Sequence, residues 1–315
     1  MTTLAENPLQ AIIEYVQGYY ARRRDPRMDP VTRLAEARRL FLTGGCIKGV
    51  VPLIEPTTRV IPVRNADVRG EWVLAQGAKP ARRLLYIHGG GMYMGDAAGY
   101  RHMVERLSAA LEAAVFSLDY RLAPEDRFPA APDDCLAAWR WLEKNGPAGP
   151  LAAEKLWVAG DSAGGNLVLV LLGDLKRLGG RTADAACAIA PLTDFTHEGR
   201  RRLGPTRRDP FLSVEAIATL NDIYLPPGHD PKDPRVSPLF GDLAGLPPTL
   251  VDVGEREVLV DDGRLWVEKA QKAGTLAKLA VQPGMTHVFQ WWCHILPEGR
   301  RSLEEIAAFL LHPKA

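Results

Sequence analysis

The chain has 315 residues, 46% hydrophobic and 24% charged, which is ordinary globular usage and excludes a disordered or fibrous protein. Its 39 Lys+Arg against 38 Asp+Glu leave almost no net charge, so a nucleic-acid partner is not expected. No apolar run reaches the roughly 18 residues of a membrane span, and the first residues lack a basic start followed by an apolar stretch, so neither membrane insertion nor a signal peptide is expected.

Residues 1–45 read as helical, with Ile12, Ile13, Val16 and Tyr20 at amphipathic spacing. Arg22-Arg23-Arg24 is a short, solvated basic face. Two β-rich runs, Arg59–Val63 and Glu71–Ala75, lie close enough together to form an antiparallel edge. Six more follow: Leu84–His88, Val115–Asp119, Leu156–Ala159, Ala185–Ala190, Leu250–Val253 and Leu276–Gln282. From Leu84 onward a helix-length segment separates each run from the next, including Asn166 to Leu178. That alternation predicts right-handed βαβ units and an α/β fold with a mostly parallel sheet of about eight strands flanked by helices. Residues 197–230 interrupt the alternation with a helix over Ser213 to Tyr224, with Ser213 as N-cap and Glu215 just inside it. Arg200-Arg201-Arg202, in the same stretch, reads as solvated surface.

The chemistry is concentrated just past the ends of these strands, where ligands of open α/β sheets bind. His88-Gly89-Gly90-Gly91 follows one strand, and such a loop offers bare backbone N–H groups to a developing oxyanion. Gly160-Asp161-Ser162-Ala163-Gly164 joins a strand to a helix. A serine between two glycines at that junction is forced into a tight bend that projects its hydroxyl from the sheet, so Ser162 is the candidate nucleophile. The N–H of Ala163 supplies a further oxyanion donor. No Gly-Lys-Ser/Thr follows the glycine loop, which argues against a phosphate site.

A serine hydroxyl needs a base within hydrogen-bond reach. Of the seven histidines, His88 belongs to the glycine loop, while His102, His197, His229 and His312 sit in helix-like or polar stretches. His294 is close to the best candidate, His287, which lies in the loop Pro283 to Phe289 after the last strand. The acid belongs on the turn Gly254 to Asp262, where several carboxylates compete. Cys46, Cys135, Cys187 and Cys293 are scattered and form no C-x-x-C, so free thiols in a reducing compartment and a cytoplasmic address are expected.

Together, His88-Gly-Gly-Gly91, Tyr120-Arg-Leu-Ala-Pro-Glu125, Gly160-Asp-Ser-Ala-Gly-Gly-Asn166, Ser237-Pro238 and the Gly284-Met-Thr-His287 loop resemble the hormone-sensitive-lipase-like carboxylesterases, the bacterial family IV esterases. The resemblance runs from about Tyr86 to Phe289. It implies an α/β-hydrolase fold with a helical cap. Residues 1–45 are then an N-terminal cap segment, and 46–315 a catalytic domain with a cap insertion at about 197–230. Laying the family's Gly-x-x-Asp-x-Leu-x-Asp-Asp on the acid turn places Glu257 at the catalytic position, where the family usually has Asp. That departure leaves Asp261 and Asp252 as alternatives.

By resemblance the oxyanion donors are the amides of Gly90, Gly91 and Ala163, with His88 and Gly89 as the supporting loop. Arg121 and Glu125 are expected to form an architectural ion pair, Asp161 to support neighbouring backbone, and Asp194, at a recurring family position after a strand, to be structural. Met92, Tyr93, Phe211, Phe289 and Trp291-Trp292 are apolar candidates for the pocket. The activity implied is hydrolysis of short- to medium-chain carboxylic esters through an acyl-enzyme, with no metal or organic cofactor. An amidase, a carbamate or carbonate hydrolase, and a ligand-binding relative without hydrolysis are the alternatives. The partner is a small ester, and a homodimer is allowed.

Overall fold

A computed structural model describes all residues except 1, 2, 4, 5, 22–28, 44–49, 51, 197, 200–208 and 315; of residues 19–21, 30, 31, 33, 40–43, 215 and 216 only the backbone is described. Cys46, His197 and the basic runs Arg22 to Arg24 and Arg200 to Arg202 therefore lie outside the described residues, as does the side chain of Tyr20.

All eight expected strands are present: β1 (Arg59–Arg64), β2 (Arg69–Leu74), β3 (Lys79–Ile87), β4 (Ala113–Leu118), β5 (Lys155–Asp161), β6 (Ala186–Ile189), β7 (Thr249–Gly254) and β8 (Ala277–Gln282). They form one sheet in the order β1-β2-β4-β3-β5-β6-β7-β8. β2 runs antiparallel to both β1 and β4, and every other neighbour is parallel. The helices are α1 (Pro8–Ala21), α2 (Pro30–Thr43), α3 (Arg101–Leu111), α4 (Ala130–Leu142), α5 (Ala163–Leu178), α6 (Val214–Ala218), α7 (Leu220–Tyr224), α8 (Val260–Lys272) and α9 (Pro297–Leu311).

Two-residue alternation divides the core between the faces of the sheet. Leu85, Ile87, Phe116, Val158 and Val251 meet α4, α5 and α8, whose Trp139, Leu171 and Trp266 are buried with them. Leu84, Tyr86, Val115, Trp157 and Leu250 turn the other way onto Val104 and Leu107 of α3 and Ile306 and Leu310 of α9. Covered on both faces, the central strands read as continuous apolar runs, which is why they were legible. A third cluster joins Ile12 of α1 to Met285, Phe289, Trp292 and Leu296 of the loop after β8, with Phe211 against it.

Two expectations need correction. The helix over Ser213 to Tyr224 is two five-residue pieces, α6 and α7, parted at Thr219. A β-branched residue weakens the helix there, and Asn221 Nδ2 donates to Phe195 O at 3.0 Å, drawing the second piece onto the domain. Arg121 and Glu125 do not pair with each other. Asp134 on α4 receives both Nε and Nη2 of Arg121, at 3.0 and 2.7 Å, a planar fork that Glu125 is not placed to offer. Glu125 instead takes two bonds from Arg38 of α2, at 2.8 and 2.7 Å.

Candidate active site

β5 and α5 meet at Ser162, which holds φ 54° and ψ −116°, a conformation that side-chain-bearing residues rarely adopt. The surroundings enforce it. Ser162 N donates to Ile189 O at 2.7 Å, and Asn166 N donates to Ser162 O at 3.0 Å. A Cβ on Gly160 would stand 2.5 Å from Ile87 O, and one on Gly164 would collide with the same carbonyl. Strand, turn and helix therefore approach too closely for anything but glycine on either side, and the hydroxyl is left pointing out of the bend.

Next to this elbow, β3 ends in the glycine loop. Gly90 and Gly91 adopt φ 107° and 63°, and a Cβ on Gly90 would run into the Met94 carbonyl. Among the described residues the amides of Gly90, Gly91 and Ala163 donate to no protein group. Asp161 ties loop to elbow. Its Oδ1 accepts Tyr86 Oη at 2.8 Å and Gly89 N at 3.1 Å, and its Oδ2 accepts Tyr100 Oη at 3.0 Å. Burial pushes this carboxyl up to about 6, held back by the hydrogen bonds it accepts. The support expected of Asp161 thus falls on the backbone of Gly89. His88 is buried, stacks on Tyr120 with ring centroids 4.3 Å apart, and has Nδ1 2.7 Å from Gly89 O. Burial lowers the pKa of its imidazole and keeps it a neutral strut.

The loop after β8 brings His287 to the elbow, with Nε2 2.9 Å from Ser162 Oγ. On the far side of the ring, Nδ1 is 3.5 Å from Oε2 of Glu257, which lies on the turn after β7 and is fully buried. That separation is at the outer limit of a hydrogen bond, and neither Glu257 oxygen makes a bond of good geometry. Such contacts are often long in unliganded sites and tighten as the ring takes a proton. Burial alone would lower the pKa of His287, but the carboxylate of Glu257, with Asp209 and Asp161 behind it, reverses the direction and holds the ring above its usual value of 6.5. Burial pushes the Glu257 carboxyl up, partly offset by the imidazole.

The alternative acids are engaged elsewhere. Asp252 is buried on β7, accepts Gln282 Nε2 at 3.0 Å and Gln290 Nε2 at 2.8 Å, and is pushed up to about 7 by burial. Asp261 stands 3.7 Å from Arg264 at the surface, and Asp262 accepts the amides of Thr193 and Asp194 at 2.7 and 3.1 Å. His294 packs edge-on against His102, 5.2 Å between centroids. Asp194 caps its own turn by accepting Thr196 N at 2.8 Å. Of the apolar pocket candidates, Met92 belongs to the core on the α5 side, and Trp291 packs on Tyr100, 4.8 Å between rings. Tyr93 and Leu220 of α7 instead lie over Gly91, close enough to crowd any side chain placed there. Phe211 and Phe289 share the third cluster beside the base loop.

Sequence reasoning did not single out Tyr86, Tyr100 or Asp209. Tyr86 carries a signal, a tyrosine two residues before the glycine loop, whereas Tyr100 and Asp209 reach the site only through folding.

A family model described as the alpha/beta hydrolase fold matches residues 84–291. The chain is 41% identical over 241 residues to an acetyl-hydrolase of Streptomyces hygroscopicus, covering 76% of this chain and 78% of that protein. It is 35% identical over 254 residues to an esterase of Acinetobacter venetianus, covering 81% and 82%. Among solved structures, an esterase from the bacterial hormone-sensitive lipase family superposes with a TM-score of 0.84 at 35% identity, over 98% of both chains.

Proposed function

From the premise that the chain belongs to the α/β-hydrolase-fold family, and within it to the hormone-sensitive-lipase-like ester hydrolases, we propose the following division of labour and substrate range. His287 Nε2 takes the proton of Ser162 as its oxygen attacks the ester carbonyl. The amides of Gly90, Gly91 and Ala163 receive the oxyanion, and Glu257 orients the ring and stabilises the imidazolium without itself taking the proton. His287 then protonates the leaving alcohol, and a water activated by the same ring releases the acid.

The observation that carries this reading is the 2.9 Å approach of His287 Nε2 to the hydroxyl of a serine held in a conformation only its glycines allow. Residues 1–45 and 197–230 act as a cap that narrows the acyl pocket. Ile12 of α1 and Phe211 meeting beside the base loop support that role. So does Leu220 over Gly91. The substrates are carboxylic esters with short to medium acyl chains, in keeping with the name of the acetyl-hydrolase relative. Among the described residues no helix is long and apolar enough to cross a membrane. The reading also takes the enzyme to be cytoplasmic, supported by the free, buried thiols of Cys135, Cys187 and Cys293.

The test is turnover of p-nitrophenyl acetate, butyrate and octanoate, beside amide and carbamate analogues, by the native chain and by Ser162→Ala. Ester turnover that falls with acyl length and vanishes in the alanine variant is expected. Native-like rates in that variant, or faster amide than ester cleavage, would overturn the reading.

A further inference from the structure

Asp209 lies outside the loops that carry the triad, in the segment just before α6, and the reaction above gives it no task. Its carboxylate nevertheless reaches the acid turn. Oδ2 accepts the amide of Val258, the residue after Glu257, at 3.1 Å, while Oδ1 accepts the amides of Phe211 and Leu212 at 2.8 and 3.2 Å. Phe211, fixed by that second bond, packs with Met285, Phe289 and Trp292, which flank His287 in sequence. One side chain thus links the inserted segment to the acid turn, and through its neighbour to the base loop.

The electrostatics make this placement informative. Two carboxylates near one another disfavour ionisation, and Asp209 adds to burial in pushing the Glu257 carboxyl up. An arrangement that crowds negative charge is destabilising unless a cation forms among the groups. Here one does, because His287 becomes imidazolium at each proton transfer. Among the described residues, the charged groups that act most strongly on that ring are Glu257 from the acid turn, Asp209 from the inserted segment and Asp161 from the end of β5, all of them acids. Glu257 alone is a loosely seated partner, 3.5 Å from Nδ1.

We propose that Asp209 is a positioning residue of the triad: it holds the acid turn through Val258 and lends a second negative charge to the imidazolium. The inserted segment is then part of the proton relay as well as a wall of the pocket. This inference rests on the serine-esterase reading.

Asp209→Asn removes the charge while its single amide oxygen can still accept either the Val258 amide or those of Phe211 and Leu212, so the tether is halved; Asp209→Ala removes charge and tether together. Losing the charge destabilises the imidazolium, so the acid limb of kcat/KM for p-nitrophenyl acetate moves to lower pH. The expected shift in the Asn variant is about half a pH unit, with KM little changed. The Ala variant is expected to show the same shift and a further drop of about tenfold in kcat, as the acid turn loosens.

An Asn variant whose limb superimposes on the native one overturns the proposal, and so does a lowered plateau with an unmoved limb, which marks Asp209 as a fold contact only. If Ala fails to fold by circular dichroism, the Asn profile decides alone. Native enzyme that turns over no ester would defeat the esterase reading instead, a result distinguishable from an active native enzyme and an unmoved Asn limb.

Discussion

At the elbow, Gly160 and Gly164 leave no room for a methyl group against the Ile87 carbonyl, and Ser162 is fixed by backbone hydrogen bonds at 2.7 and 3.0 Å. At the acid turn, by contrast, Glu257 is buried with both oxygens lacking a bond of good geometry and stands 3.5 Å from the imidazole. The nucleophile is positioned by steric exclusion, which does not depend on pH or on the state of the reaction. The contact of the acid with the ring rests on charge and strengthens as the ring is protonated. A site divided in this way keeps its serine preorganised while its proton relay can respond as charge develops.

The largest effect is expected at the rigid end. Gly164→Ala forces a Cβ onto a backbone carbonyl that cannot move without β3. A loss of about 3 kcal/mol or more in stability is expected, together with turnover below detection. A thermal melt like that of the native protein, with retained activity, would show that the elbow is softer than described.

The second effect lies at the compliant end. Glu257→Gln should lower kcat by about 10³–10⁴-fold while the protein melts normally. Asp261→Asn, at a surface carboxylate 3.7 Å from Arg264, should stay within about twofold. Steady-state kinetics on both variants checks the ranking, and the opposite order would move the acid to Asp261.

The smallest effect sharpens the charge argument. A neutral imidazole is required as base, and its pKa is held above 6.5 because the facing carboxylates outweigh burial. Therefore kcat/KM should fall as pH drops through a midpoint above 6.5, with full activity on the alkaline side. A midpoint below 6.5 in the pH–rate profile would mean that burial dominates.

The same division explains what could be read without coordinates. Ser162 and His287 stood out because steric demands are written in residue type: glycines flank the serine, and Gly284 opens the base loop. Strands were equally legible, since sheet burial on both faces demands runs such as Leu84–Ile87 and Leu156–Ala159. The acid could not be chosen this way, because one turn holds Glu255, Glu257, Asp261 and Asp262, and a carboxylate looks the same whatever it faces. Only the family's acid-turn pattern pointed to Glu257 in the sequence; folding sets it beside the imidazole and assigns Asp252 to Gln282 and Gln290 and Asp262 to Thr193. Likewise the partners of Arg121 and Glu125 come from α4 and α2, and adjacency in sequence pointed to the wrong pair. Tyr100 and Asp209 illustrate the same limit, since their contacts span 61 and 49 residues.

The reaction depends throughout on the activation of Ser162 by His287. Reaction with a p-nitrophenyl phosphonate, followed by peptide mass spectrometry, measures it directly. One adduct per chain is expected, on the peptide containing Ser162, forming at least about 10³-fold more slowly in His287→Ala. Labelling on another residue, or undiminished labelling of Ser162 without the imidazole, would contradict it.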